Sequence, residues 1–399
     1  MPSICIYFQV HQPMRLRTFS IFENNSAKHI YDAYFDDELN RKIFDRVARK
    51  CYFPTNSLLL DLIHRHDGKF KVSFSITGVF LEQCERYNPK LLDSFRALAD
   101  TGCVDFLNET YYHSLCSLFK NKGEFREQVE MHRRAMHSYF KAKPIVFRNT
   151  EALFSNEIAK LAEDMGFKGI VTEGTEKILG TLSPNYLYSV KGCASIKALL
   201  RNYRLSDDIA YRFSARWWGE WPLTPDKYAI WLSKVEGQCI NLFMDYETFG
   251  EHHWADTGIF QFLEHFPAEA LKYPELDFKT PSEIVREFKP VGEIDVPYPI
   301  SWADIERDTS AWLGNSMQRS CFELLENLET PVKKTKKEEL IHTWRLLQNS
   351  DHLYYLCTKC WADGDVHKYF SPYDDPYDGF INYMNILQDF RARIANEAR

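Results

Sequence analysis

Four short stretches of the chain concentrate titratable and amide side chains: HQP at 11–13, NETYYH at 108–113, RNTE at 148–151 and DYETFGEHH at 245–253. Each follows an apolar, β-rich run, so each reads as the polar end of a buried strand. They supply His11 and Gln12, then Asn108, Glu109 and His113, then Arg148, Asn149 and Glu151, and finally Asp245, Glu247, Glu251, His252 and His253. Taken singly, these residues have ordinary readings: His11 as a hydrogen-bonded core histidine, Glu151 as an acid favoured at a helix N-terminus, His252 and His253 as solvated loop residues. Taken together, four strand ends releasing such groups at one edge are the pattern of a site. Two carboxylates from different strands, flanked by histidines, amides and tryptophans, suit glycoside hydrolysis. There, one carboxylate attacks or stabilises the anomeric carbon while a second, held protonated, donates to the leaving oxygen. SARWWGEWPLT at 214–224 places Trp217, Trp218 and Trp221 within five residues. It reads either as flat faces for sugar C–H surfaces or as a packed aromatic loop.

The elements that must position these groups alternate between strand and helix through the first three hundred residues, an α/β architecture. The expected strands cover 4–10, 71–76, 104–107, 145–148, 169–172, 199–203 and 240–244, and the intervening helices include 88–99, 124–140, 156–165 and 258–273. Seven strands separated mostly by helices favour a closed or nearly closed parallel barrel, whose chemistry sits at the C-terminal edge of its strands. After Trp302 the pattern turns helical. Leu313, Met317, Cys321, Leu324 and Leu328 form one apolar stripe. ETPVKKTKKEE at 329–339 reads as a solvated linker or surface loop. A second helix carries the stripe Trp344, Leu347, Asp351, Tyr355, with an acid in an inward position, and a third runs from Phe380 to Ile394. The expected organisation is a catalytic barrel over 1–300 and a helical bundle over 301–399 packed beside the cleft.

Composition narrows the substrate. Lys and Arg total 49 against 56 acidic residues, a net charge of −7, which leaves no basic field to gather nucleic acid or anionic lipid. A neutral or small substrate fits better. The opening MPSICIYFQVHQP lacks the cationic flank and apolar length of a signal peptide, and no run reaches membrane-spanning length, so a cytoplasmic protein is expected. Ten Cys at irregular spacings read as reduced, buried thiols, and the lone Cys357-x-x-Cys360 has no second pair to complete a zinc site.

At these same residues the sequence resembles glycoside hydrolase family 57, the retaining α-glucan-active group that includes α-amylases, 4-α-glucanotransferases and branching enzymes. FQVHQP, GCVDFLNETYYHSL, VFRNTEALF, LFMDYETFGEH and PYPISWAD match that family's five motifs in order, and the likeness continues through LLQNSDHLYY. The resemblance implies a (β/α)7-type incomplete TIM-like barrel followed by an α-helical bundle. It also implies that Glu151 is the nucleophile and Asp245 the general acid/base. His11 is then the first-motif histidine beside the sugar, Glu247 the second acid of the fourth motif, and Asp351 an acid presented by the bundle. With the strand-end residues, the expected substrate-binding set is His11, Gln12, Glu109, His113, Arg148, Trp218, Trp221, Glu247, His252, Trp302 and Asp351. Glu247, two positions along an extended strand from Asp245, is expected to face the same side and to hold that carboxyl or raise its pKa. Where many members carry a basic residue after the nucleophile and an aromatic soon after, EALF here supplies Ala152 and Phe154.

The expected activity is therefore α-amylase-like hydrolysis of α-1,4-glucans or maltooligosaccharides by double displacement, without metal or cofactor. Glucan transfer or branching on the same scaffold is the alternative. A metal-dependent deacetylase-like enzyme, with His11, His113 and His252 converging, and a non-catalytic glucan-binding protein are the readings from other classes.

Overall fold

The computed structural model describes residues 2–20, 29–359 and 371–397. Cys360, and with it the Cys357-x-x-Cys360 pair, lies outside the described residues. The strands are β1 (Ser3–Val10), β2 (Val72–Ile76), β3 (Val104–Phe106), β4 (Val146–Arg148), β5 (Gly169–Glu173), β6 (Tyr188–Val190), β7 (Lys197–Arg201), β8 (Cys239–Asp245), β9 (Asp277–Phe278) and β10 (Gly292–Ile294). Every residue of β1, β2 and β5 is buried, as parallel strands covered on both faces must be. In β1 the two faces part by pleat. Cys5 and Tyr7 join Leu107, Val146, Val171, Leu199 and Phe243 in one cluster, whereas Ile4, Ile6, Phe8 and Val10 pack in another with helical residues such as Phe44, Leu59 and Phe95.

The parallel order β8-β1-β2-β3 continues through a bridge from Asn108 to Phe147 into β4, β5 and β7. Between β7 and β8 there is no ladder. Asn202 N–H donates to Asn241 O (2.9 Å), and the Asn241 side chain donates to Leu200 O (2.8 Å), so side chain and isolated backbone contacts span the gap. The result is the expected incomplete seven-stranded barrel, and all seven expected strands are present within three residues of their predicted ends. β6, β9 and β10, of two or three residues each, are additions too short to show a period.

The C-terminal helices are Ser316–Thr335, Glu338–Leu347, Ser350–Tyr354 and Pro376–Glu397. Two expectations need correction. The 329–339 stretch is not a loop: the helix continues through Pro331 because Val332 is buried and Lys333 pairs with Glu124 (2.7 Å) and Glu127 (3.0 Å), ending only at Lys336 in the left-handed region. Nor does one helix carry Trp344 through Tyr355. It breaks at Gln348, and Asn349 caps a new short helix by accepting from Asp351 N–H, so Asp351 lies in a first turn and not on a continued stripe. One apolar cluster joins Phe147, Ile170 and Leu200 of the barrel to Trp344, Leu347, Ile386 and Phe390 of the helices.

Candidate active site

Asp245 ends β8, and Glu151 follows β4 by three residues inside a single turn, 150–152. Glu151 has φ 58°, ψ 26°, and its neighbour Ala152 also has positive φ. That region costs a non-glycine residue of order 1–2 kcal/mol, and the fold holds Glu151 there through hydrogen bonds on all sides. Its backbone carbonyl accepts from Trp302 N–H (3.4 Å). Its Oε1 meets His113 Nε2 (3.2 Å) and accepts from Ser350 Oγ (3.0 Å), and its Oε2 accepts from Trp302 Nε1 (3.1 Å). The carboxyl remains 18% exposed, open to a ligand.

His113, itself at φ 50°, is held between two acids: Nδ1 meets Glu109 Oε2 (3.3 Å) while Nε2 meets Glu151. Burial disfavours its charge, but hydrogen bonds to Glu109 and Glu151 and the charges of both outweigh it and push the imidazole up to about 9. Glu109 is fully buried, which would raise it. His113, Arg148 and His132 instead bring it down to about 2. Gln9 and Ser75 complete its coordination. His11 stacks on His113, with centroids 4.0 Å apart and planes at 21°. Burial and the neighbouring imidazolium lower its pKa, so it sits neutral on a charged partner. Its Nδ1 meets Thr77 Oγ1 (2.9 Å) and its Nε2 meets Asp351 Oδ2 (3.1 Å). Against its burial, the His11 hydrogen bond and the charge of His113 hold Asp351 well below the usual carboxylate range.

His11, His113 and Asp351 each offer a ligand atom within 4.8 Å of the others. The two rings are nearly parallel, however, so their in-plane lone pairs run side by side rather than converging on one ion, and both nitrogens of each ring are already hydrogen-bonded. The His11–Asp351 pair instead stacks through its imidazole on His113, which alone of the three hydrogen-bonds Glu151. His252 is not part of this group.

The two principal carboxylates differ in proton affinity. Burial favours the neutral form of Glu151, but the His113 hydrogen bond, its charge and Arg148 prevail and lower it. Asp245 is raised to about 6, first by burial and then by the charge of Glu151, against Arg148, His113 and Arg201. At mildly acidic pH one is an anion and the other an acid, the division of labour that acid-plus-nucleophile chemistry needs.

Other expected residues land differently. Glu247 does not lie on an extended strand: β8 ends at Asp245, and Glu247 enters a turn at 246–248, where it accepts from Tyr52 Oη. Burial, then the charge of Asp245, push Glu247 up to about 8, so Asp245 acts on Glu247, and Glu151 is the acid that raises Asp245. Gln12 is buried, donates to Tyr52 Oη (3.1 Å) and accepts from Arg15, behind Glu247. Arg148 is fully buried, 3.8 Å from Glu109, with its guanidinium 4.8 Å from the centre of the Trp302 ring. Gly250 permits the turn, at φ 105° with a Cβ position that would meet Lys50 O at 2.0 Å. His253 braces the 210–214 segment, Nδ1 to Ser214 Oγ (2.7 Å) and Nε2 to Ala210 O (3.0 Å), while burial and His253 lower His252 to about 4. Trp218 packs edge-on against Trp231 and under Arg212, whereas Trp221 is 43% and Trp217 83% exposed.

Sequence reasoning missed Ser350, Thr77 and Tyr52, hydroxyls with no pattern of their own. It also missed Glu173 and Arg201, although the strand-end rule reaches both: Glu173 lies one residue past the strand end expected at 172 and closes β5, while Arg201 closes β7.

A parallel barrel left open between two strands, with two carboxylates of opposite proton affinity at its C-terminal mouth, is an arrangement suited to the acid-plus-nucleophile chemistry of carbohydrate hydrolases. The model of Glycosyl hydrolase family 57 matches residues 5–297, which hold all four strand-end segments. A protein of Methanocaldococcus jannaschii described as "Putative alpha-amylase" is 51% identical over 401 residues, covering 98% of this chain and 84% of its own. The chain belongs to glycosyl hydrolase family 57, and is a glycoside hydrolase. The fold is shared with a family 57 branching enzyme of Thermococcus kodakaraensis crystallised with glucose (TM-score 0.70, 15% identity, 99% of this chain and 90% of that one). It is shared too with a branching enzyme of Pyrococcus horikoshii (TM-score 0.69, 14% identity, 99% and 95%).

Proposed function

We propose that the protein is a retaining hydrolase of α-1,4-glucans in which Glu151 is the nucleophile and Asp245 the general acid/base. The observation that carries this reading is the opposed proton affinity of the two carboxylates, Glu151 lowered and Asp245 raised to about 6. Glu151 Oε attacks the anomeric carbon while the Asp245 proton passes to the glycosidic oxygen, releasing the leaving chain and forming a glycosyl ester. Asp245, now ionised, then takes a proton from water, whose oxygen displaces Glu151 and restores the starting state with the α-configuration retained. Trp302, Ser350 and His113 hold Glu151 in place and stabilise its negative charge. The α-glucan substrate follows from the amylase description of the 51% identical relative. On this reading the enzyme works in the cytoplasm, the barrel before residue 300 carries both carboxylates, and the helical part supplies Ser350 and Asp351. Among the described residues no helix is long and apolar enough to cross a membrane. Exposed Trp217 and Trp221 are the tryptophans of the 214–224 loop suited to sugar stacking.

The test is product analysis on maltoheptaose with anomer detection for wild type, Glu151→Gln and Asp245→Asn. Shorter α-anomeric products from wild type and near-complete loss in both variants support the assignment. An untouched substrate, or full activity in either variant, sinks it, and longer products move the reading to glucan transfer.

A further inference from the structure

Beside Trp302 lies a charge cluster that no step of the mechanism above uses. Arg201 ends β7, Glu173 ends β5, Asp207 sits in the helix Tyr203–Ala210 and Arg307 in the segment after Trp302. Arg201 Nη1 contacts Glu173 Oε2 (3.1 Å) and its Nη2 donates to Asp207. Arg307 reaches the same two acids, Nη1 at 3.5 Å from Glu173 and Nη2 at 3.8 Å from Asp207. The Glu173 side chain is fully buried, that of Arg201 is 5% exposed, and the four formal charges cancel. The connection is tight: Gly174, whose N–H donates to Glu173 Oε1 (2.8 Å), has its Cβ position 2.3 Å from Arg201 O.

What marks the cluster is where its spare donors go. Arg307 Nη1 donates to Trp302 O, the carbonyl of the residue whose indole N–H is bonded to Glu151. Arg201 Nε donates to Phe243 O (2.7 Å), two residues before Asp245, across the gap where β7 and β8 form no ladder. Arg201 also places its guanidinium 5.9 Å from the centre of the Trp302 ring. One buried network thus grips the supports of both carboxylates.

We propose that Arg201 and Arg307, bridged by Glu173 and Asp207, are positioning residues that hold Trp302 against Glu151 and hold the end of β8 that carries Asp245, fixing the two carboxylates relative to each other. The proposal rests on the assignment of Glu151 and Asp245 as the reacting pair. Guanidinium groups suit the role because their planar forks bind two acids and still spare a donor for a carbonyl, which an ammonium group does in no fixed geometry.

The test uses Arg307→Met, Arg201→Met and the milder Glu173→Gln in the full chain, each checked for native fold by circular dichroism. Misplacing reacting groups by about an ångström costs on the order of 100-fold, so kcat on maltoheptaose is expected to fall at least about 10-fold with KM within about threefold. In Arg201→Met the basic limb of the pH–rate profile moves up, because a charge that lowers Asp245 is gone. The indole N–H resonance of Trp302, assigned by its loss in Trp302→Phe, moves in Arg307→Met. That readout needs no turnover. Folded variants with wild-type kcat, an unmoved basic limb and an unmoved Trp302 resonance overturn the proposal. If Arg201→Met and Arg307→Met do not fold, Glu173→Gln decides by the same kcat and resonance readouts. Glu151→Gln and Asp245→Asn run in parallel separate the two failures: activity retained in them rejects the catalytic assignment, while the Trp302 resonance still decides the positioning claim.

Discussion

Replacing His113 by Gln removes a cation hydrogen-bonded to both Glu109 and Glu151, and its effect can be worked from the site. The imidazole is moved from an ordinary 6.5 to about 9 in a nearly fully buried position. At about 1.4 kcal/mol per pH unit this corresponds to roughly 3 kcal/mol of preference for the imidazolium in the folded protein. Because the folded-state pKa lies above the unfolded one, this stabilisation is fully present below about pH 6.5 and is lost as pH rises through about 9. Urea unfolding of wild type and His113→Gln should therefore differ by roughly 3 kcal/mol more at about pH 6 than at about pH 9.5. In wild type, the His113 Cε1–H resonance should titrate near 9 rather than near 6.5. The variant should also show an acid limb of activity moved upward, since the hydrogen bond and charge that lower Glu151 are gone. A stability difference equal at the two pH values, or a histidine titrating near 6.5, would refute the account of His113 as a charged clamp.

The active protonation state, Glu151 ionised with Asp245 protonated, should be lost as pH rises through about 6, so kcat/KM on maltooligosaccharides should decline through that value. In Glu151→Gln, infrared or NMR titration should find Asp245 at a lower pKa, because the second largest cause of its elevation is removed. Trp302→Phe deletes a charge-assisted hydrogen bond to Glu151 (3.1 Å), and steady-state kinetics should show kcat/KM reduced by about 10- to 100-fold with an unchanged circular dichroism spectrum. His253→Ala leaves Ser214 and the Ala210 carbonyl without their partner, and should cost about 1–3 kcal/mol in urea unfolding.

The seven barrel strands were legible because strands buried on both faces are dominated by apolar and β-prone residues, as in SICIYFQV of β1, and several run into a cluster of polar groups at their ends. The same rule exposed Glu151 and Asp245, since a strand end is a local feature of the sequence. The continuation of the Ser316–Thr335 helix past residue 329 was hidden because its lysines resemble a solvated run until Lys333 finds Glu124, a partner far away along the chain. Asp351 was noticed for a reason that does not hold, a stripe the helix break at Gln348 interrupts, yet it does reach the site through His11.

What the sequence by itself determined is therefore the set of elements and the chemical types at their ends, because pleat and helix period are written in nearest neighbours. Only the tertiary structure decided which carboxylate is ionised and which protonated. Both follow apolar strands and look alike in the chain. Their proton affinities come from His113 and Arg148, for Asp245 also from Glu151 and Arg201, residues brought together from distant parts of the chain, and from the burial that makes each of those charges count.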